Sequence, residues 1–282
     1  RRIDLGRHLI STHVSSNYRA LNAELANLPQ LDLCAVDAYH SHNDPLHIVQ
    51  LLRETAIYCR PFNKPVLVTE FGGSPMAAGL GHLKQELHAA LWSSACSTIA
   101  GAPLFWWWQI VEEQDWYGMY SGLANFMRDV DRRDPGLAPS RLTLAFEGGG
   151  PLPPDQIDNI CAASAGMALA WIFIRPCFAR PGEEMDPPIA NLNFSWDGCS
   201  NTVYRVEFCD TATGHAILGV EARPVGGRLT ARVPPLRRDM AVKIRPAATF
   251  ARPLAAGGEQ GVGGGRVVHP AGAADSSAPE VR

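Results

Sequence analysis

The feature that most constrains this chain is a change in the spacing of its apolar residues near Asp134-Pro135-Gly136. Before that point, short apolar runs alternate with helical stretches. His8 to Val14 reads as a strand, and Asn17 to Leu28 as a helix with Leu21, Leu25 and Leu28 on one face. A second run, Leu31 to Ala38, leads through polar residues to a helix over Pro45 to Tyr58, with proline in its first turn. A strand from Pro65 to Glu70 precedes a helix near Leu83 to Ile99, which keeps Leu83, Leu87, Ala90, Leu91 and Ala95 together. Ala102 to Gln109 reads as a fourth strand and Tyr117 to Val130 as a fourth helix. Successive β-then-α units imply an α/β fold whose parallel sheet is covered on its faces. A complete (β/α)8 TIM barrel needs about 250 residues. Residues 1–135 are therefore expected to form its last four βα units, a partial barrel. The alternative is a small open doubly wound sheet, but no Gly-rich phosphate loop follows any strand.

Beyond Gly136 the period shortens to two. Apolar runs recur at Leu142 to Phe146, Ala168 to Ile174, Ile189 to Phe194, Val203 to Phe208, Ala216 to Val220, Leu229 to Val233 and Ala241 to Ile244. Turn residues separate them, and the pattern predicts a small antiparallel β-sandwich over residues 136–250. Residues 251–282, rich in Gly, Pro and Ala and without aromatic residues, read as a disordered tail.

Composition narrows the function. The 282 residues fit about two domains. A net charge of −3 offers no footprint for nucleic acid and no polybasic patch for a membrane. No apolar stretch reaches the length of a membrane span. The chain opens Arg1-Arg2-Ile3-Asp4 and its first methionine is Met76, which reads as an internal piece of a longer protein. The seven cysteines form no CxxC, and most lie in apolar runs, where a free thiol behaves as a small hydrophobe. A Cys199–Cys209 bridge between neighbouring strands is the other reading.

The chemistry concentrates in Lys64-Pro65-Val66-Leu67-Val68-Thr69-Glu70-Phe71-Gly72-Gly73. A buried strand ends in a carboxylate, and in a β/α barrel the carboxyl ends of the strands floor the active site. On position alone, Glu70 is equally a solvated acid or a salt-bridge partner. Neighbouring strands add to it. Leu31 to Ala38 runs into Asp37-Ala38-Tyr39-His40, where alternation puts Asp37 and Tyr39 on one face and His40 on the other. A phenol beside a carboxylate keeps it ionised and oriented by donating a hydrogen bond. Phe105-Trp106-Trp107-Trp108-Gln109 supplies flat indole faces that suit sugar rings; by alternation Trp106 and Trp108 share a face and Trp107 packs.

Thr69-Glu70-Phe71-Gly72, the strand-end Tyr39 and the Phe105-Trp106-Trp107-Trp108 run resemble the last strands of clan A glycoside hydrolases, the family 5 type above all. The resemblance implies that Glu70 is the nucleophile of a retaining mechanism, that Tyr39 contacts it, and that Trp106 lines the subsite of the attacked sugar. It also implies an accessory β-sandwich, which Val206-Glu207-Phe208-Cys209-Asp210-Thr211 and Asp239-Met240-Ala241-Val242-Lys243-Ile244 fit. Trp108, Asp37 and His40 are further candidates for substrate contact. The partner is then carbohydrate, β-linked poly- or oligosaccharide, handled outside the cell or in the periplasm, with no metal and no organic cofactor.

Two departures stand out. The group carries His-x-Tyr on the strand where this chain has Asp37-Ala38-Tyr39, and a second negative charge there would repel that of Glu70. Retaining hydrolysis needs two carboxyls about 5–5.5 Å apart. The group's acid/base follows an Asn on the fourth strand, and no Asn-Glu dipeptide occurs here. The acid/base is therefore expected in sequence upstream, and the fragment alone is expected to be inactive. A non-catalytic carbohydrate-binding protein on a degenerate barrel is the rival reading. Elsewhere, His40, His42, His47 and Asp44 read as a polar loop rather than a metal site, and His13 either reaches the site rim or caps the sheet. Glu112, Glu113 and Asp115 read as solvated charges or as hydroxyl ligands, and Trp171 and Trp196 as core.

Overall fold

The structure is a computed structural model that describes residues 8–247 apart from 42, 74, 150, 151, 153–155 and 181. The expected tail, 251–282, lies outside the described residues. The fold is a mixed α/β one with three sheets. The first sheet is parallel and contains β1 (Ser11–Val14), β2 (Leu33–Tyr39) and β3 (Val66–Gly72) in that order. Helix α2 (His47–Cys59) covers it with Ile48, Leu51, Leu52, Ala56 and Cys59, a 3.6-residue stripe whose members are all buried. Helix α3 (Pro75–Ala95) follows β3 and kinks at Gly79, where φ is 68°.

Two stretches depart from the sequence pattern. Asn17 to Leu28 is not one helix but a 3-10 turn, Tyr18–Ala20, and a single α turn, α1 (Ala23–Ala26). Both Asn17 and Asn22 fold their side chains back onto backbone N–H groups two and three residues on, so a second cap interrupts what leucine spacing alone would continue. The expected fourth strand, Ala102 to Gln109, is reduced to a parallel bridge between Phe71 and Phe105. Its backbone runs beside β3 through Leu104 and Trp106, then turns into α4 (Trp108–Glu113) and α5 (Tyr117–Met127).

The rest is antiparallel. It comprises β4 (Ala138–Ser140), β5 (Thr143–Phe146), β6 (Ile157–Ser164), β7 (Met167–Ile174), a one-turn α6 (Pro176–Ala179), β8 (Leu192–Asp197), β9 (Tyr204–Cys209), β10 (Ala216–Ala222), β11 (Arg228–Arg232) and β12 (Asp239–Pro246). Six of these strands form one sheet in the order β10-β9-β12-β7-β6-β4, and β11-β8-β5 form another. The sheets share a core of Ile172, Phe194, Trp196, Tyr204, Phe208, Leu229 and Val242. The other face of the six-stranded sheet presents Leu169, Trp171, Phe173 and Ala241 to the helices, in a second core with Leu87, Leu91, Trp92 and Phe126. That sheet is thus a central layer, and every residue of β7 is buried. Trp171 and Trp196 lie in these cores. Cys199 and Cys209 are both free thiols, so the bridge between them does not form.

One polar hub joins the layers. Asp239 Oδ2 lies 2.6 Å from His88 Nε2 on α3 and accepts the Trp171 indole N–H at 2.8 Å, while its Oδ1 accepts the Thr211 hydroxyl at 3.1 Å. A close backbone approach locks the turn after β9 to α5. Gly214 has φ 72°, and a Cβ there would meet the Gly122 carbonyl oxygen at 1.8 Å.

Candidate active site

Parallel strands bring their carboxyl ends to one edge, and that edge collects His13, Asp37, Tyr39, Glu70 and Trp106. The decisive local feature is a β-bulge. Val36 pairs with Val68, but Asp37 pairs with Glu70, so Thr69 is an extra residue in β3. The shift puts Glu70 in register with Asp37 and onto the face shared by Asp37 and Tyr39. The Tyr39 hydroxyl donates to Glu70 Oε2 at 2.8 Å. The Trp106 ring stands edge-on to Tyr39, 6.3 Å between centroids and 80° between planes, and is 43% exposed.

Asp37 is 1% exposed, yet it is not left as a bare charge. Its Oδ1 accepts from His13 Nε2 at 2.8 Å and stands 3.0 Å from the Thr69 hydroxyl, which also reaches the Val36 carbonyl at 3.1 Å. His13 therefore reaches the site, and the charge expected to confront Glu70 has an imidazole bonded to it. The hydrogen bond to Asp37 raises the His13 pKa most; the little burial it has works the other way, and the charges of Asp37 and Glu70 add to the rise. Burial first, then the bond to Glu70 and the two carboxylate charges, push the Tyr39 phenol above its ordinary value. Tyr39 thus stays a donor through the neutral range, leaving the second Glu70 oxygen open to a reacting atom.

Among the described residues, His13, Asp37 and Glu70 are the group whose ligand atoms, all within 4.8 Å of one another, could hold a metal ion. His13 and Asp37 are bonded to each other, and one oxygen of Glu70 is bonded to Tyr39.

Other expected residues are placed differently. His40 does not join the group. Its side chain is 2% exposed and its Nε2 lies 3.0 Å from Glu86 Oε1 on α3, with the His47 ring 4.9 Å away, so no sugar-facing surface remains. Glu86, fully buried, also accepts the Gly73 N–H at 3.0 Å and so anchors the loop after β3. His42 lies outside the described residues. Trp108 opens α4, so the alternation argument that paired it with Trp106 fails; it is 61% exposed, one turn beyond the sheet edge. Trp107 packs against the core and donates its indole N–H to the Gly73 carbonyl at 2.6 Å. It lies so near Gly72 (φ 147°) that a Cβ there would meet the indole at 3.1 Å. Glu112 accepts the Tyr117 hydroxyl on the outer surface. A cavity of about 940 Å³ lies elsewhere, between α3, the α4–α5 turn and the antiparallel sheet, bounded by His88, Trp116, Arg238 and Asp239.

Two tests of this geometry follow. Tyr39→Phe removes the donor that holds Glu70 Oε2 and should slow covalent labelling of Glu70 by about ten- to a hundredfold, with the melting temperature little changed; an unchanged labelling rate would count against the contact having a chemical role. The His13–Asp37 pair should stabilise the fold fully below the unfolded histidine value of about 6.5 and lose that contribution as pH rises through the raised folded value. The difference in melting temperature between the parent and His13→Gln should therefore shrink as pH rises above about 6.5.

No family model matches the chain, and no curated protein matches it significantly in sequence. Solved structures do. A glycoside hydrolase aligns over 86% of this chain and 58% of its own length, with TM-score 0.56 and 11% identity. A glycoside hydrolase family 5 protein from Bacteroides vulgatus aligns over 86% of this chain and 56% of its own, with TM-score 0.54 and 12% identity. At such identities the likeness is one of fold. The chain spans less than three-fifths of the length of these structures, and they are glycoside hydrolases.

Proposed function

We propose that the chain carries the nucleophile half of a retaining glycoside hydrolase site, built on the later strands of a β/α barrel and followed by a β-sandwich. The observation that carries this reading is the Tyr39–Glu70 hydrogen bond at 2.8 Å beside a part-exposed indole. One Glu70 oxygen is held by the phenol and the other is available to attack an anomeric carbon. Attack expels the leaving-group oxygen, forms a glycosyl ester on Glu70, and passes through an oxocarbenium-like transition state. Water then cleaves that ester, and a second carboxyl acts first as acid and then as base. Asp37 is unsuited to that second role. It is buried, in register with Glu70 on the adjacent strand, and already bonded to His13. The acid/base is accordingly assigned to chain outside these residues, which agrees with the partial coverage of the structural neighbours. The exposed outer edge of β1 is where such a segment would add strands. The substrate is a β-linked poly- or oligosaccharide, met outside the cytoplasm.

The test is trapping with a 2-deoxy-2-fluoro glycosyl fluoride. Fluoride leaves with little acid assistance, so labelling reports the nucleophile even where the acid is absent. A mass increment on the peptide containing Glu70, lost in Glu70→Gln, supports the assignment. Saturable sugar binding with no label on Glu70 would instead favour a carbohydrate-binding protein on a degenerate barrel.

A further inference from the structure

We infer that the arginine cluster around Asp158, at the other end of the parallel sheet from Glu70, is an anion site that takes a tetrahedral dianion: phosphate or sulfate, free or as a monoester. Asp158 sits in β6 with its side chain 12% exposed. Arg53 of α2 lies 3.3 Å from its Oδ2, Arg141 3.3 Å from its Oδ1 and Arg175 3.7 Å from its Oδ2. Each contact is single and long, none a two-point fork. The carboxylate also accepts the Asn159 N–H at 2.8 Å, so it has little left to offer three guanidiniums with five donors each. Three positive charges meet one negative charge in a chain whose net charge is −3, so the excess is local.

A pocket of about 220 Å³ lies beside the cluster, between α2 and strands β4 and β6; Arg53, Arg141 and Ser140 stand on its lining, and Ile57, Pro139 and Ile160 belong to a wall that is otherwise largely apolar. At about 30 Å³ per water, it has room for an oxyanion with part of its hydration shell. Next to the lining residue Ser97, Arg132 donates to the Ser97 carbonyl, its Nε is buried without a hydrogen-bond partner, and no carboxylate pairs with it among the described residues. Planar guanidiniums with spare donors around a small cavity are the arrangement that holds phosphate and sulfate by paired, charge-assisted hydrogen bonds. Ser97 follows α3, and the nearby Ala100 N–H donates to Val66, the first residue of β3, whereas Glu70 lies near that strand's far end. The inference therefore does not depend on the reading of Glu70.

Titration calorimetry of the full chain with inorganic phosphate near pH 7.5 at low salt tests it, with inorganic sulfate and glucose 6-phosphate as parallel arms. Saturable one-site binding is expected. Arg53→Gln and Arg141→Gln should each weaken it by about tenfold with the circular dichroism spectrum unchanged. Arg141 is 70% exposed, so its replacement leaves the fold intact. Asp158→Asn should lower the melting temperature yet tighten phosphate binding, because the competing negative charge is gone. Tighter binding of the ester than of phosphate assigns the site to a monoester, and the reverse to the free ion. Absence of binding in the parent chain, binding indifferent to both arginine substitutions, or weaker binding in folded Asp158→Asn would each overturn the proposal and leave the cluster as a clamp between layers.

Discussion

Glu70→Gln should reduce glycoside hydrolysis by the complete two-carboxyl site by at least about a thousandfold while leaving sugar binding within a few-fold. The substitution keeps the shape of the side chain and a carbonyl oxygen that can still accept from Tyr39 at the 2.8 Å position. What it removes is the negative charge that the proposed attack on the anomeric carbon requires. A smaller variant supplies an independent check. In Glu70→Ala, added azide should occupy the space left by the carboxylate and restore turnover, giving a glycosyl azide of inverted anomeric configuration. A Gln variant with near-parent hydrolysis would remove Glu70 from the mechanism.

Asp239→Ala should destabilise the fold by about 3–5 kcal/mol, the usual consequence of removing one partner from a buried charged network. Three groups lose their acceptor together: His88 from the helical layer, the Trp171 indole from the central sheet, and Thr211 beside β9. Asp239→Asn, which keeps one acceptor oxygen, should be milder. Burial alone would push the Asp239 carboxyl up, but His88, Arg238 and the Trp171 N–H together hold it below its ordinary value. The sign follows directly. The contribution is complete above the unfolded aspartate value of about 3.9 and disappears as pH falls through the lower folded value. Urea midpoints for parent and Asp239→Ala should converge only in that acid range. A gap that narrows already above about pH 5 would count against an ionised Asp239 at the centre of the network.

The pairing of Tyr39 with Glu70 was legible because both stand where apolar runs end, and strand alternation is a strong rule over two or three residues. The same rule failed two strands on. It needs the chain to remain extended, and Trp106 is the last residue bonded to β3 before Trp107 caps a helix. Tryptophan content signals burial and aromatic chemistry but not where a strand stops. The broken helix at Asn17 and Asn22 could have been read, since asparagine before a helical turn is a capping signal. Strand β6 was missed for a different reason. Its second and third residues, Asp158 and Asn159, are polar yet buried, one held by arginines and the other exchanging hydrogen bonds with the Leu142 backbone. No local pattern announces partners supplied from so far along the chain. His40 misled because a histidine after a strand-end tyrosine looks exposed until α3 brings Glu86 over it.

Thr69 has a consequence for anyone comparing chains of this kind by eye. Were that residue paired like its neighbours instead of bulged, the sequence of β3 would be untouched and every residue named above still present. Thr69 would then take the place opposite Asp37, and Glu70 would fall opposite Ala38, a fully buried position. Tyr39 would be left pointing at nothing it could hold. A chain can therefore keep all the letters of such a site and still have lost it, and the register of the strand after Val68 is the thing to check.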